Sequence, residues 1–491
     1  MIMRGQWPKP LTKCRSRKSE AASPIGAAPN ATLRSLDLAG LRRGLARQRI
    51  NHQMQVELNY GRGKLPIQLP DDLQVTVLRK QPMPVLPDPS AAVRKALQEP
   101  VEAAALEKLA RTARSVAIAI CDITRPVPNH LFLRPLIETL LQAGIPAKAI
   151  GVLVATGLHR PNLGEELDEL IGDPWVLRKV RVENHYASRD EDHVLLGNTS
   201  SRGTVVRLDR RFVEADLRIA TGLVEPHFMA GYSGGRKVIA PGLAHADTIT
   251  TFHSARFMAD PKAANCNFEG NPLHEEQLEI VRMLGGALAI NAVVDEERRL
   301  SFINFGEIVA SHAEAVAFVR NYAEVSARRR FKTVVTSAAG YPLDKTYYQT
   351  VKGMVGPIDI LAPGGRLIVA SECSEGLGSP EFIEAQRQLI QHGPSEFLRR
   401  ILLKSRAAID EWQTQMQLKP MAIGTIQLYS TGLNPAQHIL TGIARIDSVP
   451  SAVLESVAAS GDSAVAVIPE GPYVVPFLQL EPENQAAKVE N

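Results

Sequence analysis

Two imidazoles, a lysine and a glycine-rich turn fall within 27 consecutive residues: His227, the loop Gly231-Tyr232-Ser233-Gly234-Gly235-Arg236-Lys237, and His253. Imidazoles exchange protons near neutral pH or ligate metals. Glycines let a ligand come close to the backbone, and a lysine can hold it. Upstream, Asp122-Ile-Thr-Arg125-Pro and Thr156-Gly-Leu-His159-Arg160-Pro add a carboxylate, a guanidinium and a third imidazole. A segment that only has to fold does not need this density of Gly, His, Arg and Lys. The set describes an enzyme-like crevice for an anionic ligand, and the reaction class stays open at this point.

Each residue also has a plain reading. The glycine loop lacks the GKS or GKT ending of a phosphate loop, since Arg236 precedes the lysine and Val238 follows it. It is equally a glycine turn that opens a helix. His159 and His227, taken singly, read as hydrogen-bonded or surface histidines; their shared position at strand ends favours function. His253 lies in a helical stretch and is uninformative alone. Asp122 and Arg125 could be a helix cap and a surface charge. Tyr348, Gln349 and Lys352 could form an ordinary helix face, and Trp412 could be core. His130, His185, His245 and His274 read as structural or exposed, with His185 the one most easily dismissed in error.

The elements that must position these residues follow an α/β rhythm. Residues 56–77 alternate and turn at Tyr60-Gly-Arg-Gly63, which predicts a hairpin near the start of the first domain. A linker with Pro82, Pro84, Pro87 and Pro89 follows. Continuously apolar runs at 115–121, 149–155 and 217–223 predict strands buried on both faces, and 131–144 has helical periodicity. Strands at 331–336, 366–371, 422–429 and 463–468 are expected later, with helices at 380–392, 395–403 and 407–417. The fold class is therefore α/β: a larger, doubly wound N-terminal domain and a smaller C-terminal α/β domain, with the site in the cleft between them. The expected divisions are a basic extension over 1–53, domains over 54–327 and 328–458, a segment over 459–480 returning to the first domain, and a polar tail over 481–491. In open α/β sheets ligands bind beyond the carboxyl ends of the strands. Asp122 and Arg125, His159, and His227 follow three such ends.

Composition sets the outer bounds. The chain has 491 residues, 45% hydrophobic and 22% charged, as expected of a globular protein with more than one core. Its net charge of +4 misleads, because residues 1–50 hold 11 Lys/Arg against 2 Asp/Glu and the remainder holds 45 against 50. Nucleic-acid binding by the body is not implied. The extension reads as a tail, a targeting peptide or sequence upstream of the true start at Met54, with the last favoured. No apolar run reaches the length of a membrane span. The four scattered cysteines read as free thiols in a reducing cytoplasm.

The ordered segments around Asp122–Arg125, Thr156–Pro161, His227, Gly231–Lys237, His253, Tyr348–Lys352 and Trp412 resemble the nickel-dependent lactate racemase family of 2-hydroxyacid racemases and epimerases, from about Val56 to about Phe477. The resemblance implies a nickel(II) pincer mononucleotide derived from a pyridinium nucleotide, covalently attached to Lys237. It implies His253 as the protein's nickel ligand, and His159 and His227 as acid/base residues for the two enantiomers. Asp122, Gly234, Gly235, Tyr348 and Trp412 are implied at the cofactor; Arg125, Gln349 and Lys352 are implied at the substrate. Cofactor-building enzymes are implied as maturation partners. Arg236 departs from the family's small residue there, so contacts to the cofactor phosphate are expected to differ. Lactate is one candidate substrate among larger, dicarboxylic and sugar acids. Two other classes compete: a nucleotide- or phosphate-binding transferase without nickel, and a non-catalytic protein that binds a small ligand.

Overall fold

The computed structural model describes residues 53–479. The basic extension, save Gln53, and the polar tail lie outside the described residues. The chain opens with strands β1 (Gln53–Tyr60), β2 (Gly63–Pro70) and β3 (Gln74–Val77). Next come β4 (Val116–Cys121), helix α1 (Asn129–Gln142), β5 (Ile150–Ala155), β6 (Arg181–Asn184) and β7 (Leu217–Leu223). Two short helices follow, α2 (Arg236–Ile239) and α3 (Ala246–Phe252), and then β8 (Leu288–Val294) and β9 (Leu300–Glu307). The later elements are β10 (Phe331–Ser337), α4 (Tyr347–Val355), β11 (Leu361–Ala370), α5 (Pro380–Leu402), α6 (Glu411–Met421), β12 (Thr425–Tyr429), β13 (Ala444–Arg445) and β14 (Ala464–Ile468).

The first sheet has the order β9-β8-β7-β4-β5-β6, parallel except for β9 at its edge. From β4 the chain winds outward through β5 and β6, then returns to β7 and winds the other way. The switch point lies between β4 and β7, where a crevice opens at the carboxyl ends. Strand β4 shows why the lysine helix can lie there. Val116, Ile118 and Ile120 pack with Leu133, Leu136 and Ile137 of α1 on one face. Ala117 and Ala119 face the other way, into the core that holds Val238 and Ile239 of α2. A strand alternates its side chains between faces, and small ones on the α2 side leave room for close approach. A Cβ on Gly222 in β7 would lie 2.9 Å from the Cα of Gly234.

The second sheet, β13-β12-β11-β10-β14-β3, is parallel throughout. Here two expectations are corrected. The hairpin β1–β2 was placed in the first domain, yet Val56, Leu58, Ile67 and Leu69 pack with Val335, Ile368, Val465 and Val467 of the second sheet. The segment 459–480, expected to return to the first domain, instead places β14 inside the second sheet, between β10 and β3. Only its last strand, Val475–Leu478, leaves that sheet, pairing with Glu324–Ala327. Apolar strands fit either sheet equally well, and the neighbour is chosen by long-range packing that periodicity does not encode. The other face of the second sheet, with Val334, Leu367, Val369, Ala464 and Ala466, shares one core with the alanine face of the first. The helix pair expected at 380–403 is nearly continuous, with non-helical backbone at Gly393 (φ 76°). Among the described residues no helix is long and apolar enough to cross a membrane.

The packing at the switch point gives a test. The Gly157 N–H donates to the Gly242 carbonyl at 2.9 Å, tying the loop that carries His159 to the chain after α2. A Cβ on Gly242 would sit 2.2 Å from the Val238 carbonyl oxygen. Gly242→Ala should therefore lower unfolding free energy by about 1–3 kcal/mol, an overpacking cost. Gly63→Ala, with nothing within 4 Å of the added carbon, should change it by less than about 0.5 kcal/mol in the same denaturant titration.

Candidate active site

Five segments from both halves wall one cavity of about 200 Å³. The turn after β4 supplies Cys121, Asp122, Thr124 and Arg125, and the turn after β5 supplies Thr156 to His159. From the β7 side come His227, Ser233, Gly234 and Lys237, with His253 just beyond α3. The second half supplies Tyr348, Gln349 and Lys352 on α4, and Asp410, Trp412 and Gln413 at the start of α6. The strand ends that the sequence pointed to do converge, and the two later segments close over them.

Local chemistry explains each placement. Thr346 caps α4 by accepting from the Gln349 N–H, so Tyr348 and Lys352 lie one turn apart on one face. Tyr347 points the other way, its buried hydroxyl bonded to Gln417 (2.9 Å) and the Thr441 carbonyl (3.0 Å), which locks α4 to α6. Helix α6 and the segment just before it are held to the first half by polar bonds. Gln415 donates to the Ala255 carbonyl (3.0 Å), Lys419 to that of Ala263 (2.8 Å), and the Ala407 N–H to that of Thr250 (2.9 Å). That docking sets Trp412 against His253, with ring centroids 4.9 Å apart.

The two histidines at strand ends are prepared differently. His159 stands at the mouth, half exposed, and its Nδ1–H donates to Asp122 Oδ2 at 2.6 Å. Burial against the cavity wall lowers its pKa, but the bond to Asp122 and that carboxylate's charge outweigh this, and the net shift is upward. Asp122 responds in kind: burial opposes its ionisation, yet His159, Thr124 and Arg125 hold it below the usual carboxylate range. His227 is buried. The N–H groups of Met229 and Ala230 point at its Nδ1 from 3.3 and 3.2 Å, so the neutral ring carries its proton on Nε2. Desolvation, and then the charges of Lys237, Arg125 and Lys352, drive its pKa well below 6.5. The expectation that both rings sit near neutrality therefore changes to a pair pushed apart.

The cations are crowded and dry. Arg125 donates through Nη1 to Glu225 Oε1, and its other side-chain N–H groups make no hydrogen bond among the described residues. Burial and then Arg125 bring Lys352 down to about 7. Lys237 has no hydrogen bond or ion pair among the described residues, and burial with the neighbouring Arg125, Arg236 and Lys352 lowers its pKa well below 10.5. A lowered pKa makes the free amine, the nucleophilic form of lysine, easier to reach. His253 donates from Nδ1 to the Ile249 carbonyl at 3.0 Å, which frees Nε2 as a lone-pair donor, and burial holds its pKa near about 3. A ligating histidine is commonly fixed by such a bond. Among the described residues no group of three or more His, Cys, Asp or Glu could hold a metal.

Against this geometry the comparisons decide the family. The lactate racemase N-terminal domain matches residues 60–265 and the lactate racemase C-terminal domain matches residues 327–475. The chain belongs to the lactate racemase family. It is 30% identical to the lactate racemase of Thermoanaerobacterium thermosaccharolyticum over 434 residues, covering 86% of this chain and 98% of that one. It is 31% identical to the lactate racemase of Lactiplantibacillus plantarum over 386 residues, 78% of this chain and 90% of that one. The apoprotein structure of the Thermoanaerobacterium enzyme superimposes with a TM-score of 0.80 at 28% identity, covering 86% of this chain and all (100%) of the other. A Thermotoga maritima protein shares the fold, with a TM-score of 0.59 at 17% identity, over 76% of this chain and 96% of that one.

Two of the family-implied positions face elsewhere. Gly235 does not line the cavity; a Cβ there would meet the His312 ring at 2.8 Å. Arg236, expected to alter phosphate contacts, points behind the loop instead. It donates to the carbonyls of Ala230 (2.9 Å) and Tyr232 (3.4 Å) and lies 4.7 Å from the centre of the Phe268 ring. It braces the loop from the core side. The other histidines are structural where seen: His185 bonds Asp209 and the Ala244 carbonyl, and His245 caps α3. Sequence reading missed Glu225 and Asp410. Glu225 stands two residues before His227, and only that proximity could have drawn attention to it. Asp410 precedes Glu411 at a helix start and reads as a cap.

The His159–Asp122 pair yields a titration test. Asp122 raises the pKa that burial lowers, so Asp122→Asn should carry the His159 pKa downward, to 6.5 or below. Following the imidazole resonances by NMR across pH 4–9 checks this, with an unchanged or higher value contradicting the assignment.

Proposed function

We propose that this protein is a 2-hydroxyacid racemase or epimerase that works with a nickel pincer nucleotide tethered to Lys237. The observation that carries the reading is the convergence, in one cavity, of two oppositely tuned imidazoles, an unpartnered lysine amine and His253 with Nε2 free. These residues fit the implied group. Lys237 offers the nucleophilic nitrogen for a covalent link, and His253 the single protein ligand. Trp412 packs against that ligand, and Ser233 and Gly234 line the same cavity as the lysine. When bound, the group supplies an acceptor and donor of hydride at carbon 2 of the substrate.

The protein's share of the chemistry is binding and proton handling. Arg125 and Lys352 bind the substrate carboxylate, Arg125 through the N–H groups that Glu225 leaves free. Removing hydrogen from carbon 2 as hydride avoids building a carbanion beside a carboxylate, but it requires that the hydroxyl lose a proton. His159 takes that proton at Nε2, with its Nδ1–H fixed on Asp122. The enantiomer with its hydroxyl on the other side is served by His227. In the resting tautomer the ring carries its proton on Nε2 and can serve that oxygen as a donor; it acts as a base only in the tautomer with Nε2 bare. With the group bound, hydride would return to the opposite face of the 2-oxoacid, and the imidazolium that took the hydroxyl proton would give it back to the oxygen. The walls from α4 and α6 keep water from the ketone.

The test is a chiral assay on protein produced together with cofactor-building enzymes, read beside intact mass and nickel content. The expected result is an adduct at Lys237, bound nickel, and interconversion of the two forms of a 2-hydroxyacid. Lys237→Ala should lose the adduct, while His253→Ala should keep it and lose nickel. His159→Ala and His227→Ala should keep both and lose about 10²–10⁴-fold in turnover. A loaded protein that scrambles no 2-hydroxyacid, or an unmodified protein that binds nucleotide and transfers a phosphoryl group, contradicts the proposal.

A further inference from the structure

Asp410 is an acidic side chain in a cavity built around cations for an anionic ligand, and no step above employs it. Its backbone is left-handed, at φ 62° and ψ 0°. Non-glycine residues adopt that region at a cost, and an Asp just ahead of a helix ordinarily repays its position by capping. This one makes no side-chain cap bond to α6. The carboxylate lines the cavity instead, accepting from the Ser379 hydroxyl at 2.6 Å and bonding the Tyr348 hydroxyl. His159 lines the same cavity, and the charge of Asp410 favours its protonated form. A carboxylate has about four acceptor positions, so capacity remains after Ser379 and Tyr348. On the wall of the same cavity, Gln349 has a buried Oε1 without a hydrogen-bond partner among the described residues.

The charges of the wall narrow what can lie against Asp410. Among the described residues that line the cavity, the lysines and arginines are Arg125, Lys237 and Lys352. In the proposed reaction Lys237 carries the cofactor, and the other two hold the carboxylate on carbon 1. None remains for a second carboxylate, which would meet Asp410. A methyl group would leave the acceptors on this side unused. A hydroxyl on the carbon next to the reacting centre would donate to them.

We infer that Asp410 selects the substrate: the chain beyond carbon 2 is uncharged and carries a hydroxyl, as in 2,3-dihydroxy acids, and dicarboxylates are turned away. This rests on the racemase reading of the same cavity. Asp410→Asn is the discriminating variant, because asparagine tolerates left-handed backbone and keeps the side chain's shape while removing its charge. Ser379→Ala removes a partner of the carboxylate without touching the cavity.

The experiment measures kcat/KM for interconversion of glycerate, lactate and malate by the loaded enzyme and the two variants, with adduct mass and nickel content recorded for each. Wild type should favour glycerate over lactate by about tenfold or more, the scale of a hydrogen bond to a charged group, and should turn over malate least. Asp410→Asn should keep adduct and nickel, lower the glycerate-to-lactate ratio by about tenfold, and raise malate relative to lactate. Ser379→Ala should shift the same ratios in the same direction by less. A wild type that prefers malate, or an Asp410→Asn ratio within about twofold of wild type, overturns the inference while racemisation of lactate leaves the broader reading intact. Loss of the adduct or of nickel in Asp410→Asn also overturns it, since the residue would then serve the cofactor. If loaded wild type inverts none of the three, the broader reading fails first.

Discussion

Positive charge held out of water is the constraint around which the rest of this structure is arranged. Arg125, Lys237 and Lys352 line one cavity and Arg236 lies buried behind it. Desolvating an ion costs several kcal/mol even after relaxation. The protein meets that cost unevenly. Arg125 receives Glu225 as a partner, Lys352 falls to a pKa of about 7, and Lys237, whose amine has no partner among the described residues, is lowered well below its usual value. An anion entering this space restores what the cations lost on burial. Burial first, and then these charges, suppress protonation of His227 and His253, while the bond to Asp122 raises the pKa of His159. Division of labour between the imidazoles is therefore a property of the whole charge arrangement, and neither ring has it alone.

Much of the site was legible because chemistry and topology coincide in the sequence. The apolar runs at β4, β5 and β7 are short and uninterrupted, and a polar residue with a possible role follows each. A reader who knows that parallel strands end in a crevice can place Asp122, Arg125, His159 and His227 together without coordinates. The loop 231–237 was legible as a close-approach turn, since Gly222 and Gly234 leave no room for a Cβ. The residues of α4 and α6 were readable only through likeness to the family, because a helix face gives no hint of which distant sheet it will cover.

What stayed hidden has physical reasons as well. Asp410 carries the sequence signature of a helix cap, and only its backbone angles show that it does something else. Arg236 sits beside a reactive lysine, and a turn of 100° per residue sends the two side chains to opposite sides of α2. The hairpin and β14 were assigned to the wrong half because alternation specifies that a strand has a buried face without naming what buries it. Those placements are settled by pairing between residues hundreds of positions apart.

One such pairing has a bearing on how the molecule is assembled. Strand β3 joins its sheet solely through β14, with Val75 beside Val465 and Val77 beside Val467. A ribosome releases β3 long before its neighbour exists. Until the later segment emerges, that edge and the hairpin next to it have no finished surface to join. Contacts so distant along the chain are slow to form. A message cut short before codon 464 would leave β3 without the one strand it pairs with among the described residues, and the hairpin with only part of the surface that buries it.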